Sequence, residues 1–361
     1  MAYTTVDDPS AFFQAITWTG NGSDGRALTN DGNSDLKPDW VWLKNYDLGY
    51  NHFLTDSSRG NTKVILSDST TAEGTYTNMV ESFDTDGFTI GYDGSQVPNY
   101  NGNKHVAWQW KANGGTTSSN SDGNITSTVQ ANTDAGFSIV TWTGNDQSAA
   151  SVGHGLGVTP EMVLFKRRNA TYYWVVYLGA LGQTGGNNMF AYLNVNNAAE
   201  QGAGITFTSS LLNPGSGATT NSGDMIAYCF NSVQGYSKFG KYTGNSHSGG
   251  DGPFIHTGFA PAYVMIKRTD AANDWIIHTY KFGTLNAAGS LKGNEGNPNT
   301  SAFRANETSV VNEWGNIDML SNGFKVRSGG GASENASGTY IYMAFAEHPF
   351  VTSTGIPTTA R

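Results

Sequence analysis

The sequence predicts an all-β protein of three tandem antiparallel β-sandwich repeats of the jelly-roll kind, and two observations lead to this prediction. The first is composition: of 361 residues, 46 are Gly, 12% are aromatic and only 14% are charged. Strands and tight turns favour aromatic residues, Gly, Asn and Asp, whereas long helices favour Ala, Leu, Glu, Lys and Arg. The second is an internal repeat that supplies strand-like segments three times over.

Each repeat begins with a short motif containing Thr-Gly-Asn. The string TWTGNG at Thr17–Gly22 recurs as TWTGND at Thr141–Asp146 and as KYTGNS at Lys241–Ser246. An aromatic residue precedes the TGN in all three copies, which indicates a strand that runs into a turn. Residues 1–16 precede the first copy and are predicted to form an N-terminal arm.

A strand that opens on Pro and closes on Lys follows each motif. These segments read KPDWVWLKN at Lys37–Asn45, TPEMVLFKRRN at Thr159–Asn169 and APAYVMIKRTD at Ala260–Asp270. A second apolar segment begins eight residues after each closing Lys. Two apolar runs separated by a short polar turn predict neighbouring strands of one sheet.

An aromatic strand closes each repeat. Its three copies are HVAWQWKA at His105–Ala112, MIAYCFNS at Met225–Ser232 and YIYMAFAEHPF at Tyr340–Phe350. Large residues alternate with small ones, which predicts a strand with two different faces. Cys229, the single cysteine, falls on the small-residue face and is predicted to be a strand residue, not a nucleophile.

Domain boundaries follow from these repeats. The predicted sandwiches span residues 17–113, 136–234 and 235–351, with a tail at 352–361. Residues 114–135, rich in Gly, Ser, Thr and Asn, are predicted to be an extended linker. The connection between the second and third repeats is short, so those two are expected to form a rigid pair.

Charge and motifs argue against several functions. A net charge of −9 argues against nucleic-acid binding, which depends on neutralising phosphates. The sequence contains no zinc-protease, phosphate-loop or serine-hydrolase motif, so no catalytic residue and no organic cofactor is predicted. Two carboxylates could serve glycoside hydrolysis, but the acids are scattered. They are Asp7, Asp8, Asp84, Asp86, Glu313, Glu334 and Glu347.

Two sets of residues are candidate sites. Asp31, Asn33 and Asp35 form an oxygen-rich run that could hold Ca²⁺, although Leu36 stands where a calcium loop of the EF-hand type needs Gly. The alternative is a plain turn. The aromatic residues before each TGN could be platforms for a sugar ligand, or part of the core. They are Trp18, Trp142 and Tyr242.

The chain resembles a family of virion and tail structural proteins from marine bacteriophages. The resemblance is carried by Gly258–Thr279 and Val152–Val176, which share the pattern P-x-x-V-x-x-K, and by the opening segment with SFDTDGF and HVAWQWKANGG. It implies a lectin-like sandwich fold and brings no catalytic residues. It also implies a virion location, reached after synthesis in the cytoplasm of the bacterial host.

The leading functional hypothesis is a tail-associated fibre or adhesin that contacts a glycan or protein of the host surface. The expected partners are other virion proteins and further copies of the chain, with a trimer as the usual fibre assembly; neither nucleic acid nor membrane insertion is expected. One alternative is a capsid decoration or head-fibre protein. A second is a virion-borne glycan hydrolase.

Overall fold

The fold was analysed in a computed structural model of the chain. It describes residues 4–92, 98–184, 187–202, 204–247, 249, 251–282, 302–311, 316–328 and 334–349. Within them the protein is all-β, with several antiparallel sheets, as the sequence predicts. Three short 3₁₀ helices are present in these residues, at Pro9–Ala11, Gly179–Leu181 and Tyr280–Phe282.

The strands are numbered along the chain. Strands β1 to β9 are Phe13–Thr19, Arg26–Leu28, Trp40–Asn45, Phe53–Asp56, Lys63–Leu66, Gly74–Thr75, Val80–Phe83, Phe88–Ile90 and Lys104–Trp110. Strands β10 to β21 are Ser118–Asn120, Ser127–Asn132, Phe137–Asn145, Val152–Gly153, Met162–Arg167, Val175–Leu178, Gln183–Thr184, Asn187–Tyr192, Glu200–Gly202, Thr206–Phe207, Leu211–Asn213 and Ser222–Phe230. Strands β22 to β29 are Ser237–Gly244, Phe254–His256, Tyr263–Arg268, Trp275–Thr279, Ala302–Arg304, Ile317–Leu320, Gly323–Val326 and Gly338–Phe345.

One strand order occurs three times. The large sheets contain β1-β9-β3-β4-β5, β12-β21-β14-β15-β17 and β22-β29-β24-β25-β26. A three-stranded sheet accompanies each: β2-β8-β7, β13-β20-β19 and β23-β28-β27. We call β1–β9 unit 1, β12–β21 unit 2 and β22–β29 unit 3. The central partner in each large sheet is the closing aromatic strand, which pairs with the TGN strand on one side and the Lys-closed strand on the other.

The two faces of each large sheet build different cores. Trp108 of unit 1, Tyr228 of unit 2 and Met343 of unit 3 belong to one central cluster that joins all three units. The small residues on the opposite faces, such as Ala227, pack in separate clusters local to each unit. The predicted alternation of the closing strands is therefore confirmed. The large residues of the closing strands pack the units against one another, since aromatic side chains bury the most apolar area.

The Lys that ends each Pro-opened strand joins one unit to another. All three ammonium groups are fully buried. Lys44 donates to the carbonyl oxygen of Thr308 in unit 3 at 3.0 Å, and Lys166 donates to that of Thr70 in unit 1 at 2.9 Å. Lys267 donates to the carbonyl oxygen of Asn196 in unit 2 at 2.9 Å. Each unit thus gives one Lys contact and receives one, so the contacts run around a closed ring.

Backbone hydrogen bonds repeat at the same three junctions. The pairs are Glu73 N to Arg168 O at 2.7 Å, Ala199 N to Thr269 O at 2.8 Å and Val311 N to Tyr46 O at 3.3 Å. The last pair joins unit 3 back to unit 1. The units therefore do not lie in a row with only the second and third held rigidly, as the sequence suggested, but contact one another in a ring.

Two expectations about the connecting segments differ from the structure. Within residues 114–135, expected to be an extended linker, β10 and β11 form and extend the edge of the second large sheet by pairing with β12. Within the expected arm, strand β1 begins at Phe13, which is fully buried. In both cases pairing with a neighbouring strand decides the structure, and for residues 114–135 it overrides a polar local composition. The predicted tail at 352–361 lies outside the described residues.

Candidate functional site

The TGN motif makes the same turn in all three units. The side-chain oxygens of Asn21, Asn145 and Asn245 each accept a hydrogen bond from the backbone N–H two residues later, at 3.0 to 3.1 Å. The preceding glycine lies against the segment before the closing strand: a methyl group on Gly144 would come within 2.2 Å of the backbone of Asn221. Gly20 and Gly244 have the same close approach. The backbone of this turn therefore accounts for the Gly and the Asn of the motif.

The three rings beside this motif lie in the local cores. Trp18, Trp142 and Tyr242 are at most 9% exposed. Trp18 stacks on His105 with ring centroids 5.4 Å apart, and Tyr242 stacks on Tyr340 at 4.9 Å. Trp18 and Tyr242, enclosed in this way, offer no open face to a ligand, and all three predicted platforms belong to the local cores.

The oxygen-rich run of unit 1 lies in a loop with all three of its side chains exposed. Neighbouring residues hold its backbone: Gly32 N–H donates to the side-chain oxygen of Gln14 at 2.8 Å. Asp31 forms an ion pair with Lys281 of unit 3 at 2.6 Å. No group of three His, Cys, Asp or Glu side chains among the described residues could hold a metal ion. These contacts favour the plain-turn interpretation of the loop. The Ca²⁺ site at Asp31, Asn33 and Asp35 stays a prediction.

The scattered acids also have structural partners. Asp84 accepts hydrogen bonds from Ser82 at 2.6 Å and Thr89 at 2.8 Å. Glu334 is fully buried and lies 3.3 Å from the ring of the equally buried His278. Glu347 accepts a hydrogen bond from the Tyr280 hydroxyl at 2.6 Å, and burial raises its pKa. Glu313 lies outside the described residues.

Burial changes the pKa of the groups that hold the ring together. It lowers the pKa of Lys44, Lys166 and Lys267 to about 8 each. Burial raises the pKa of the Cys229 thiol to about 12, which leaves it protonated and unreactive. Perturbed pKa values often mark catalytic groups. The three lysines instead donate to backbone carbonyls at equivalent positions, which is a structural role.

An open polar groove of about 250 Å³ lies on unit 2, and Trp142 is the one lining residue that the sequence analysis named as a candidate. Its lining residues are Thr126, Thr128, Thr141, Trp142, Thr143, Arg168 and Asp224. Strand pairing sets Thr128 opposite Thr141 and Thr143 opposite Asp224, so these side chains share one face of the sheet. Strand β11, which brings Thr128, lies in the segment expected to be a linker, and this error concealed the groove.

Hydrogen bonds to unit 1 fix one side of the groove. Arg168 donates two hydrogen bonds to Glu73 of unit 1, at 2.8 and 3.0 Å. Burial raises the pKa of Glu73, but its bonds to Arg168 and the charge of Arg59 outweigh this and lower it. Hydroxyl groups with a carboxylate can bind a neutral polyhydroxy ligand through hydrogen bonds.

One family matches the sequence over almost its whole length. It is described as "Domain of unknown function (DUF7483)", and the match covers residues 8–349. No curated protein and no solved structure matches the chain. Among the described residues, no helix has the length and apolar character needed to cross a membrane.

Proposed function

The chain belongs to the DUF7483 family of domains of unknown function, and we propose that it is a structural protein on the surface of a bacteriophage particle. Its role there is that of a tail-associated fibre or adhesin that contacts the host cell surface. Its partners are other particle proteins, further copies of the chain, and a host surface glycan or protein. The resemblance of Val152–Val176 and Gly258–Thr279 to phage tail and virion proteins supports the proposal.

The observation that carries this proposal is the ring of inter-unit contacts. Buried Lys44, Lys166 and Lys267 donate around it, and the central aromatic cluster fills it. Such a ring leaves the units no hinge, and a protein that projects from a particle must hold its shape under mechanical load and protease attack. The polar groove on unit 2 supplies a contact surface.

The proposal also includes the type of fold that each unit adopts. We infer that each unit is a lectin-like β-sandwich, in which the large and small sheets enclose a local core. The three local clusters support this, because each contains residues of both sheets of one unit, such as Val163 and Leu212 in unit 2. Sheets that pack face to face enclose a core in this way.

A capsid decoration protein is the second candidate. The threefold recurrence of strand order favours it, because a chain with three similar units matches a site where three capsid subunits meet. The two candidates differ in copy number, since decoration requires hundreds of copies per particle and a tail fibre requires a few to tens.

Antibody labelling of purified particles tests the proposal. Particles of the phage that encodes the chain are labelled with an antibody raised against the purified protein, viewed by electron microscopy, and quantified by mass spectrometry. Label on the tail at low copy number supports the adhesin, and label over the head supports decoration. Absence of the chain from particles overturns both. Release of sugar from host polysaccharide by the purified protein would establish the hydrolase alternative instead.

A further inference from the structure

Unit 2 carries a strip of aromatic rings at positions where, among the described residues, units 1 and 3 have other residue types. The rings of Tyr173 and Tyr192 have centroids 4.8 Å apart, and those of Tyr192 and Phe190 are 5.3 Å apart. Tyr173 is 43% exposed, and the other two are half-buried. We call these three residues the tyrosine strip.

The strip lies on the face of the second large sheet that packs against the local core of unit 2. Tyr192 is paired with Val175 and Phe190 with Tyr177, and both partners belong to the local core of unit 2. Residues directly opposite in neighbouring strands point to the same face. The strip therefore continues the local core outward to solvent.

Comparison of the three units shows that the fold does not require aromatic rings at these positions. The Lys contacts and the TGN turns recur in every unit, so the fold needs them. At the position of Tyr173, by contrast, unit 1 has Asn51 and unit 3 has Asp274. At the position of Tyr192 they have Leu66 and Arg304, both paired in the same register. Unit 3 fills the same two positions with an ion pair between Arg304 and Asp274 at 3.1 Å, so the fold accepts other side chains here, and the aromatic rings are particular to unit 2.

Polar groups flank the rings. Glu200 is exposed on β18 and pairs with Phe190. Burial, the charge of Glu200 and the neighbouring Tyr173 together raise the pKa of Tyr192, which keeps its hydroxyl protonated as a hydrogen-bond donor. The strip thus combines an exposed flat ring with a carboxylate acceptor and a hydroxyl group.

We propose that the tyrosine strip binds a neutral sugar of a host-surface polysaccharide. A sugar ring has an apolar C–H face that packs on an aromatic ring and hydroxyl groups that bond to a carboxylate such as Glu200. Glu200 and the net charge of −9 disfavour an acidic polysaccharide. A stable protein partner needs about 800 Å² on each side, more than three partly buried rings present.

This inference rests on the proposed adhesin function and is tested apart from it. The purified full-length protein is applied to an array of neutral and acidic bacterial polysaccharides, and the dissociation constant of the best ligand is measured for each variant. Tyr173→Ala is expected to weaken binding about tenfold, the loss of one stacking contact. Tyr173→Phe, which keeps the ring, is expected to bind within about twofold of wild type.

The control variant is Tyr76→Ala, because Tyr76 has a similar exposure, 38%, on unit 1. It is expected to bind like wild type. Unchanged binding by Tyr173→Ala, with loss of binding by Asp224→Asn, would place the sugar in the threonine groove and overturn this inference while leaving the adhesin function intact. Binding of no neutral polysaccharide by the wild type would also overturn it, whereas absence from particles would overturn the proposed function.

Discussion

The ammonium group of Lys166 in unit 2 donates to the carbonyl oxygen of Thr70 in unit 1 at 2.9 Å, and both belong to a junction that the molecule repeats three times. Lys166 also donates to the carbonyl oxygen of Tyr172 in its own unit at 2.6 Å. No carboxylate forms an ion pair with Lys166 among the described residues. A buried charge is held here by peptide dipoles, which ties two units together at a desolvation cost.

Replacement of this Lys by an apolar residue is expected to weaken the ring. Lys166→Met removes a donor from the carbonyl oxygens of Thr70 and Tyr172, of which the Thr70 oxygen keeps the Tyr172 N–H at 3.0 Å. Both residues are half-buried, so the expected loss in free energy of unfolding is about 1–3 kcal/mol, measured by urea denaturation. The control Lys238→Met changes an exposed Lys of β22. An equal effect of the two substitutions would contradict the structural role of Lys166.

The pH dependence of stability above neutrality is a second prediction. Burial lowers the pKa of Lys166 to about 8 from an ordinary value of 10.5. Between these values the unfolded chain binds a proton that the folded chain has lost, so the free energy of unfolding rises with pH. The slope is at most about 1.4 kcal/mol per pH unit for one Lys. Urea denaturation of wild type and Lys166→Met from pH 8 to 10 should show stability of the wild type rising relative to the variant, and a constant difference would refute this.

Acid is predicted to destabilise the protein through buried histidines. Burial lowers the pKa of His105 to about 4 from an ordinary value of 6.5, and it also lowers that of His52 and His154. Between pH 6.5 and 4 the unfolded chain takes up protons that the folded chain does not, so stability falls as pH falls, by up to about 1.4 kcal/mol per pH unit for each histidine. As the pH is lowered, the midpoint temperature of thermal unfolding should fall less steeply for His105→Gln than for wild type. The exposed His256→Gln is the control, and identical slopes for all three proteins would contradict the prediction.

The sequence predicted each unit better than their arrangement. Alternation in strands such as Lys104–Trp110 is local, and it correctly separated Trp108 and Trp110 from Ala107. The equivalence of Lys44, Lys166 and Lys267 was also visible, but their role was not, since the carbonyl that Lys166 meets lies 96 residues away in the chain. A contact of that kind has no local signal.

The candidate site was harder to predict for the same reason. Equivalent positions drew attention to Trp18, Trp142 and Tyr242, yet recurrence in a repeat protein indicates what the fold needs. The groove depends on strand β11, which pairs although its composition is polar. The tyrosine strip lies where unit 2 departs from the other units, and that departure is readable in the sequence only once the strand register is known.

The turn glycine beside Asn145 is predicted to be irreplaceable. A methyl group on Gly144 would lie 2.2 Å from the backbone of Asn221, and both segments are strand ends that cannot move apart freely. Gly144→Ala is expected to cost about 3 kcal/mol, in the range of strongly overpacked sites. The control Gly102→Ala adds a methyl group in open space at a positive φ of 81°, so it shows the cost of backbone strain alone, about 1 kcal/mol. Equal losses in thermal stability would show that the close approach is unimportant.

Unfolding is predicted to be one cooperative step, because all three units share the central aromatic cluster. Cys229 reports on this, since its thiol is the only one in the chain, is fully buried in unit 2 and has a pKa raised by burial to about 12. A thiol reagent is therefore expected to label it only when the chain unfolds, at the rate at which tryptophan fluorescence reports loss of the whole fold. Six of the fully buried large side chains are tryptophans of units 1, 2 and 3, so fluorescence monitors the entire ring. Labelling in Lys166→Met should accelerate together with the fluorescence change. Labelling that runs ahead of fluorescence would mean that unit 2 opens alone, and the ring of contacts would then not hold the units as one body.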